Sequence, residues 1–246
     1  MKYLKIILSI LIFISSANAN TIFYLIKIPN LEIHSGKSVN GLKYLKATKP
    51  FNVGITDNNV ACFNSSKLDI EKKMPIIEKN LNKYSSEFLD KINLKYIVLC
   101  ENLSVAQISA AGVPNSKIKT LIIDIKFDEE HFERVLHHEI FHMINDTHKK
   151  KFLNEEWKNF NNSEFKYAQC STCSDRLGLS LLKENKGFIT QYSMSTASED
   201  MAEVFSFIMI NNKKIETRAL KDPILNKKIL FIKKNILKID ENFNFN

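Results

Sequence analysis

The chain has 246 residues, 44% of them hydrophobic, with 6 glycines and 5 prolines. This composition excludes a disordered or loop-dominated polypeptide and leaves ample material for a core. The formal charge is +8, yet only three of the 35 basic residues are arginine (Arg134, Arg176, Arg218) and these are dispersed. Nucleic-acid sites favour clustered arginine for its bidentate fork, so no nucleic-acid partner is expected.

Lys2 and Lys5 precede an apolar run from Ile6 to Ile14, followed by the small-residue cleavage site Ala17-Asn18-Ala19. Residues 1–19 read as a signal peptide. The run is shorter than the ~20 residues that span a bilayer. The mature chain is expected to be exported, periplasmic or secreted, with no stable membrane span.

Residues 21–28 are rich in β-formers and predict a strand. Residues 31–65 hold Gly36, Gly41, Pro50 and Gly54 and predict loops with short strands, 59–63 among them. Over 66–92, Ile70, Met74, Ile77, Leu81, Tyr84 and Phe88 recur every three to four residues and predict one long helix. Residues 95–100 and 118–125 predict buried strands, with 112–115 as a turn between them. Residues 129–144 predict a helix, with acids in its first turn and Phe132, Val135, Leu136, Ile140, Phe141 and Met143 on its buried side. A short helix and a loop are expected over 152–166, a short helix at 177–182, and extended chain or loop over 187–196. Ser198 is expected to cap a further helix, with Met201, Val204 and Phe205 on its apolar side. Pro223 suits the first turn of a C-terminal helix. There Ile229, Ile232, Ile236 and Ile239 form a buried stripe, and Lys227, Lys228, Lys233, Lys234 and Lys238 a solvated face.

The chemistry concentrates in His138-Glu139-Ile140-Phe141-His142. Residues four apart on a helix share a face, so His138 and His142 can offer ring nitrogens to one metal. Glu139 lies beside them, placed to act as base toward a metal-activated water. Catalytic zinc takes a third protein ligand, and two sources compete. His148 completes a metzincin spacing, with Asn145 in place of the turn glycine and Met194 as a Met-turn candidate. Glu199 and Glu203 share one face of a later helix. One of them can bind zinc while the other accepts the free ring N–H of a zinc histidine. Ala202 lets that helix pack close. Acids are costly to bury without such partners, which favours a metal role for this pair over two solvated carboxylates and leaves open which of the two is the ligand.

The four cysteines, Cys62, Cys100, Cys170 and Cys173, suggest two disulfides in an oxidising compartment, with three pairings open. Cys170 and Cys173 as half of a structural zinc site would need Cys62 and Cys100, whose spacing fits no finger or ribbon pattern.

The block Tyr192-x6-Glu199-x-x-Ala202-Glu203 resembles that of gluzincins such as anthrax lethal factor and the Pro-Pro endopeptidases. The run from Leu136 to His142, with Trp157, Phe165 and Tyr167, is similar to a group of bacterial zinc-binding metallopeptidases. The resemblance covers residues 127–210. It implies His138, His142 and Glu199 on zinc, Glu139 as general base, and Tyr192 as hydroxyl donor to the tetrahedral oxyanion. It also suggests strand 118–125 as the edge that pairs with an extended substrate. The spacing from His142 to Glu199 is longer than in those relatives and includes the cysteine pair, so a stapled insertion near the cleft is expected.

The resulting expectation is an α+β, zincin-like fold. Residues 20–126 form a lobe of twisted sheet and helix, and 127–246 carry the metal site and a helical C-terminal lobe. The expected activity is zinc-dependent peptidase, with a peptide or protein as substrate and the oligomeric state open. The alternatives are a metzincin using His148, or an envelope interaction protein that binds zinc without catalysis.

Overall fold

The computed structural model describes residues 30–34, 36, 38–54, 59–182 and 185–245. The signal peptide and the strand expected at 21–28 lie outside the described residues. In chain order the strands are β1 (Leu31–His34), β2 (Lys43–Ala47), β3 (Phe51–Val53), β4 (Val60–Phe63), β5 (Tyr96–Val105), β6 (Ile108–Ser109), β7 (Gly112–Asn115) and β8 (Thr120–Asp124). The helices are α1 (Lys67–Leu81), α2 (Ser86–Lys91), α3 (Glu129–Thr147), α4 (Asn154–Lys158), α5 (Ala197–Ala219) and α6 (Pro223–Leu237). The fold is α+β.

β5 organises the sheet. Its residues Ile97 to Cys100 are all buried, the mark of a strand covered on both faces. This half runs parallel between β2 and β8. β1 flanks β2 and β7 flanks β8, both antiparallel. The second half of β5 pairs antiparallel with β4 and β6, and β3 adds to β4.

Two strand expectations are corrected. Residues 112–115 form strand β7, and the turn comes later, where Asn115 Oδ1 accepts from the amides of Lys117 and Ile118. Pro114 is tolerated because β7 is an edge strand, where a missing N–H costs no ladder bond. β8 is wholly buried between β5 and β7, so the free edge belongs to β7 and not to the 118–125 run.

The helix expected over 66–92 is two helices. Ser66 Oγ caps α1 by accepting from the Asp69 amide, and Ser85 Oγ caps α2 by accepting from the Phe88 amide. The apolar period continues through the break because both helices press the same core, which hid the second cap from a periodicity reading. Residues 177–182 are not helical; the Leu182 amide bonds Ile189 O and the Tyr192 amide bonds Gly178 O. The cap of α5 is Thr196, whose side chain accepts from the Glu199 amide, rather than Ser198. α5 kinks at Asn211, which has non-helical backbone angles.

One hydrophobic cluster joins sheet and helices, with Ile97, Leu121, Phe132, Phe141, Phe205 and Ile232 among its members. A smaller one on the opposite sheet face holds Val98, Ile122 and the Cys62–Cys100 disulfide, which links β4 to β5. The second disulfide joins Cys170 to Cys173.

α6 departs from its expected solvated face at Lys228, which is 0% exposed. Its Nζ donates to Asp200 Oδ2 at 2.6 Å and to Gly187 O at 2.8 Å. Trp157 Nε1 and the Tyr167 hydroxyl donate to the same carboxylate oxygen, at 2.8 and 2.6 Å. Burial raises the Asp200 pKa and lowers that of Lys228, and each charge partly offsets the other's desolvation. Removing one partner strands a buried charge, which costs about 3–5 kcal/mol. Lys228→Met should therefore lower the unfolding free energy by about that amount in chemical denaturation, with Asp200→Asn/Lys228→Met recovering much of it. Lys228→Met as stable as wild type would mean that the pair does not hold α6 to α5.

Candidate metal centre

α3 carries the histidine pair. Its N-cap Asp128 accepts from the Glu130 amide, and Glu129 and Glu130 suit the positive end of its dipole. The 3.6-residue period turns His138 and His142 to one face, toward α5, where Ala202 is wholly buried and permits close approach. From α5, Glu199 reaches the pair. Its Oε2 lies 2.9 Å from His138 Nε2 and 3.2 Å from His142 Nε2, and the two Nε2 atoms are 3.1 Å apart. Ligand atoms around tetrahedral zinc, each at ~2.1 Å, stand about 3.4 Å from one another. Two imidazole nitrogens and one carboxylate oxygen converging at that spacing are a donor set that zinc accepts, and the residues fit the ion.

His138 is oriented from behind. Its Nδ1 donates to Glu203 Oε1 at 2.9 Å, which turns Nε2 toward the centre. Glu203 is 1% exposed; its other oxygen accepts from Arg134 Nη1 and from Thr190 Oγ1. Burial opposes the Glu203 charge, but His138, Arg134 and Thr190 hold its pKa below the usual carboxylate range. Burial likewise opposes a proton on His138, yet Glu199 and Glu203 lift its pKa to about 10. Glu199, despite burial, is held well below its ordinary value by His142 and His138.

Glu139 is 8% exposed, and burial raises its carboxyl pKa above the ordinary range. It faces β7, where an added Cβ on Gly112 would lie 2.5 Å from Glu139 Cγ. Tyr192 sits in a short 3-10 turn, Tyr192–Met194, with its ring centroid 5.8 Å from that of His138. Burial, then Glu199 and Glu139, push its phenol pKa up.

Two cavities meet here. One of about 450 Å³ is bordered by Pro114, Ser116, Asn145 and Asp146. The other, about 620 Å³, is more apolar and is bordered by Ile108, Ala110, Val135, Leu177 and Leu179. Gly112, His138, Glu139 and Tyr192 line both. An open cleft therefore runs along the free edge of β7, past the His138–His142–Glu199 cluster.

Neighbouring histidines have other tasks. His148 Nε2 donates to Lys91 O at 3.1 Å, away from the cluster. His137, 0% exposed, accepts from the Tyr84 hydroxyl at Nδ1 and donates from Nε2 to Asn80 Oδ1, at 2.6 and 3.0 Å. Burial drops its pKa to about 3, so it is neutral.

The sequence reading missed Arg134, Thr190 and Gly112. Arg134 had a legible signal, since 134, 138 and 142 are spaced by four and share a helix face. Thr190 and Gly112 meet the centre only through tertiary packing.

A helix-borne histidine pair, a glutamate from a second helix and an edge strand over the cleft make a zincin-like centre within an α+β fold. The family described as "Putative zinc-binding metallo-peptidase" matches residues 114–239, and the chain belongs to that family. The chain is also similar to the crystal structure of a protein described in the same words from Bacteroides caccae. That similarity has 19% identity and a TM-score of 0.47, covering 76% of this chain and 75% of that one. No curated protein matches the chain.

The close approach at Gly112 is testable. With Glu139 as the base of a zinc-dependent peptidase, Gly112→Ala should push Glu139 or β7 aside and lower hydrolysis at least about tenfold with zinc content unchanged, the expected effect of displacing that group by about 1 Å. Wild-type turnover would show that the edge strand does not constrain Glu139.

Proposed function

We propose that this protein is an exported zinc endopeptidase of the gluzincin type. The carrying observation is the convergence of His138 Nε2, His142 Nε2 and a Glu199 carboxylate oxygen within 3.2 Å of one another, beside Glu139 in an open cleft. His138, His142 and Glu199 are the ligands, Glu203 orients His138, and the substrate is a peptide or protein. Zinc, when bound, supplies a Lewis acid that polarises the scissile carbonyl and activates water near neutral pH.

The protein's own residues then divide the work. Glu139, its proton affinity raised by burial, takes a proton from the attacking water and passes it to the leaving amine. Tyr192, its hydroxyl kept protonated by burial and nearby carboxylates, donates to the oxyanion of the tetrahedral species. The edge of β7 offers unpaired backbone groups to an extended substrate. A division near residue 127 into a sheet-bearing lobe and a metal-bearing lobe goes with this reading. Both disulfides suit an oxidising compartment, and among the described residues no helix is long and apolar enough to cross a membrane.

Metal analysis with peptide-library cleavage tests the assignment. Glu139→Gln should keep zinc and lose about 10²–10⁴-fold in kcat, because it removes the base and not a ligand. Near-wild-type hydrolysis by Glu139→Gln rules out this mechanism.

The ligand set is tested separately. Glu199→Ala should lower zinc affinity severely, Glu203→Ala by about 10–100-fold, and His148→Ala not at all. Loss of zinc in His148→Ala with retention in Glu199→Ala would make the protein a metzincin.

A further inference from the structure

Ser171 and Thr172 wall the apolar cavity beside Tyr192. They are the two residues enclosed by the Cys170–Cys173 disulfide. The segment that carries them is tied to the Tyr192 turn along its length. The Ala168 amide donates to Ser195 O at 2.8 Å, Arg176 Nη1 to Met194 O at 2.8 Å, and the Tyr192 amide to Gly178 O at 3.0 Å. Ser171 is half-buried and shares the wall of that cavity with Tyr192, and Tyr192 in turn shares the metal-side cavity with Glu199.

A disulfide between residues three apart closes a small loop and removes far less unfolded-chain entropy than one closing 38 residues, as Cys62–Cys100 does. Global stability is therefore a weak reason for the Cys170–Cys173 bond. Its local consequence is larger, since it limits the backbone freedom of a turn that walls the cavity beside Tyr192. The two bonds also differ in access. Cys62 and Cys100 are 2% and 0% exposed, whereas Cys170 and Cys173 are both exposed.

We propose that the disulfide-closed Cys170–Cys173 turn is a positioning element for hydrolysis: it holds the Ser171 hydroxyl as a donor to the Tyr192 oxygen, which turns the phenol proton toward the metal centre. The inference rests on the peptidase reading and adds Ser171 as a positioning residue and the disulfide as its support. Opening the disulfide loosens Ser171, and the phenol loses its preferred direction. Reduction by a water-soluble trialkylphosphine is balanced. Phosphorus attacks one sulfur, the S–S bond breaks, water's oxygen ends on phosphorus as the phosphine oxide, and both cysteines emerge as thiols. A phosphine is preferable to a dithiol, which would also chelate zinc.

The experiment has a kinetic arm and a structural arm. With zinc-loaded full-length protein and a fluorogenic peptide that the wild type cleaves, Ser171→Ala should lower kcat about tenfold, the worth of one well-placed hydrogen bond, with KM little changed. Ser171→Thr should restore most of the loss. In a Tyr192→Phe background Ser171→Ala should cost nothing further. Phosphine treatment should lower wild-type kcat while zinc content holds, and Cys170→Ser/Cys173→Ser should start low and be insensitive to phosphine. In the structural arm, hydrogen exchange on metal-free protein should quicken across 190–195 in the cysteine double variant and stay unchanged across α3. Wild-type kcat and wild-type exchange in Ser171→Ala and the cysteine double variant overturn the proposal and leave the peptidase reading standing. A wild type that binds zinc but cleaves nothing overturns both.

Discussion

Three carboxylates within five residues of one helix, two of them buried and the third half-buried, set the terms for this structure. Glu199, Asp200 and Glu203 stand in the first turns of α5, where Asp200 and Glu203 are 0% and 1% exposed. Buried charges are tolerated only when each finds opposite charge and hydrogen bonds enough to offset lost hydration. The rest of the molecule is arranged to provide them. Glu199 meets the histidine pair of α3. Glu203 meets His138, Arg134 and Thr190. Asp200 turns the other way and collects Lys228 of α6, Trp157 of α4 and the Tyr167 hydroxyl. One helix end thus ties the metal helix on one side to the C-terminal helix and the aromatic layer on the other. A rigid first ring of donors around the centre follows from the same contacts.

Environment, more than residue type, sorts the histidines of α3. His137 and His138 are adjacent in sequence and about 100° apart around the helix. His137 meets Tyr84 and Asn80 in the core, and burial drops its pKa to about 3. His138 meets two carboxylates, and its pKa rises to about 10 although it is equally enclosed. The first is a packing residue that links α3 to α1 and the segment after it. The second is a metal-ligand candidate with its ring nitrogen fixed by Glu203. Glu139, between the two faces, points to the cleft, where Gly112 leaves room for its side chain against the edge of the sheet.

The sequence by itself determined the elements whose signal is local. The i, i+4 spacing of His138 and His142, the acids at the start of α3, and the pairing of Glu199 with Glu203 are properties of a single helix, legible from its period. So were the buried strand at 95–100 and the Pro223 helix start. Tertiary structure decided what depends on partners distant in the chain. Residues 112–115 look like a turn because Gly and Pro break local order, yet β8 recruits them as an edge strand through inter-strand hydrogen bonds. Lys228 looks like one more lysine on a solvated face until Asp200, 28 residues upstream, supplies the counter-charge that lets it be buried. The choice between Glu199 and His148 was likewise open to spacing alone. Packing places Glu199 of α5 beside the histidine pair, whereas His148 bonds the carbonyl of Lys91. Helical periodicity is written along the chain, whereas the compensation of a buried charge or an unpaired strand edge is settled only when the chain is closed on itself.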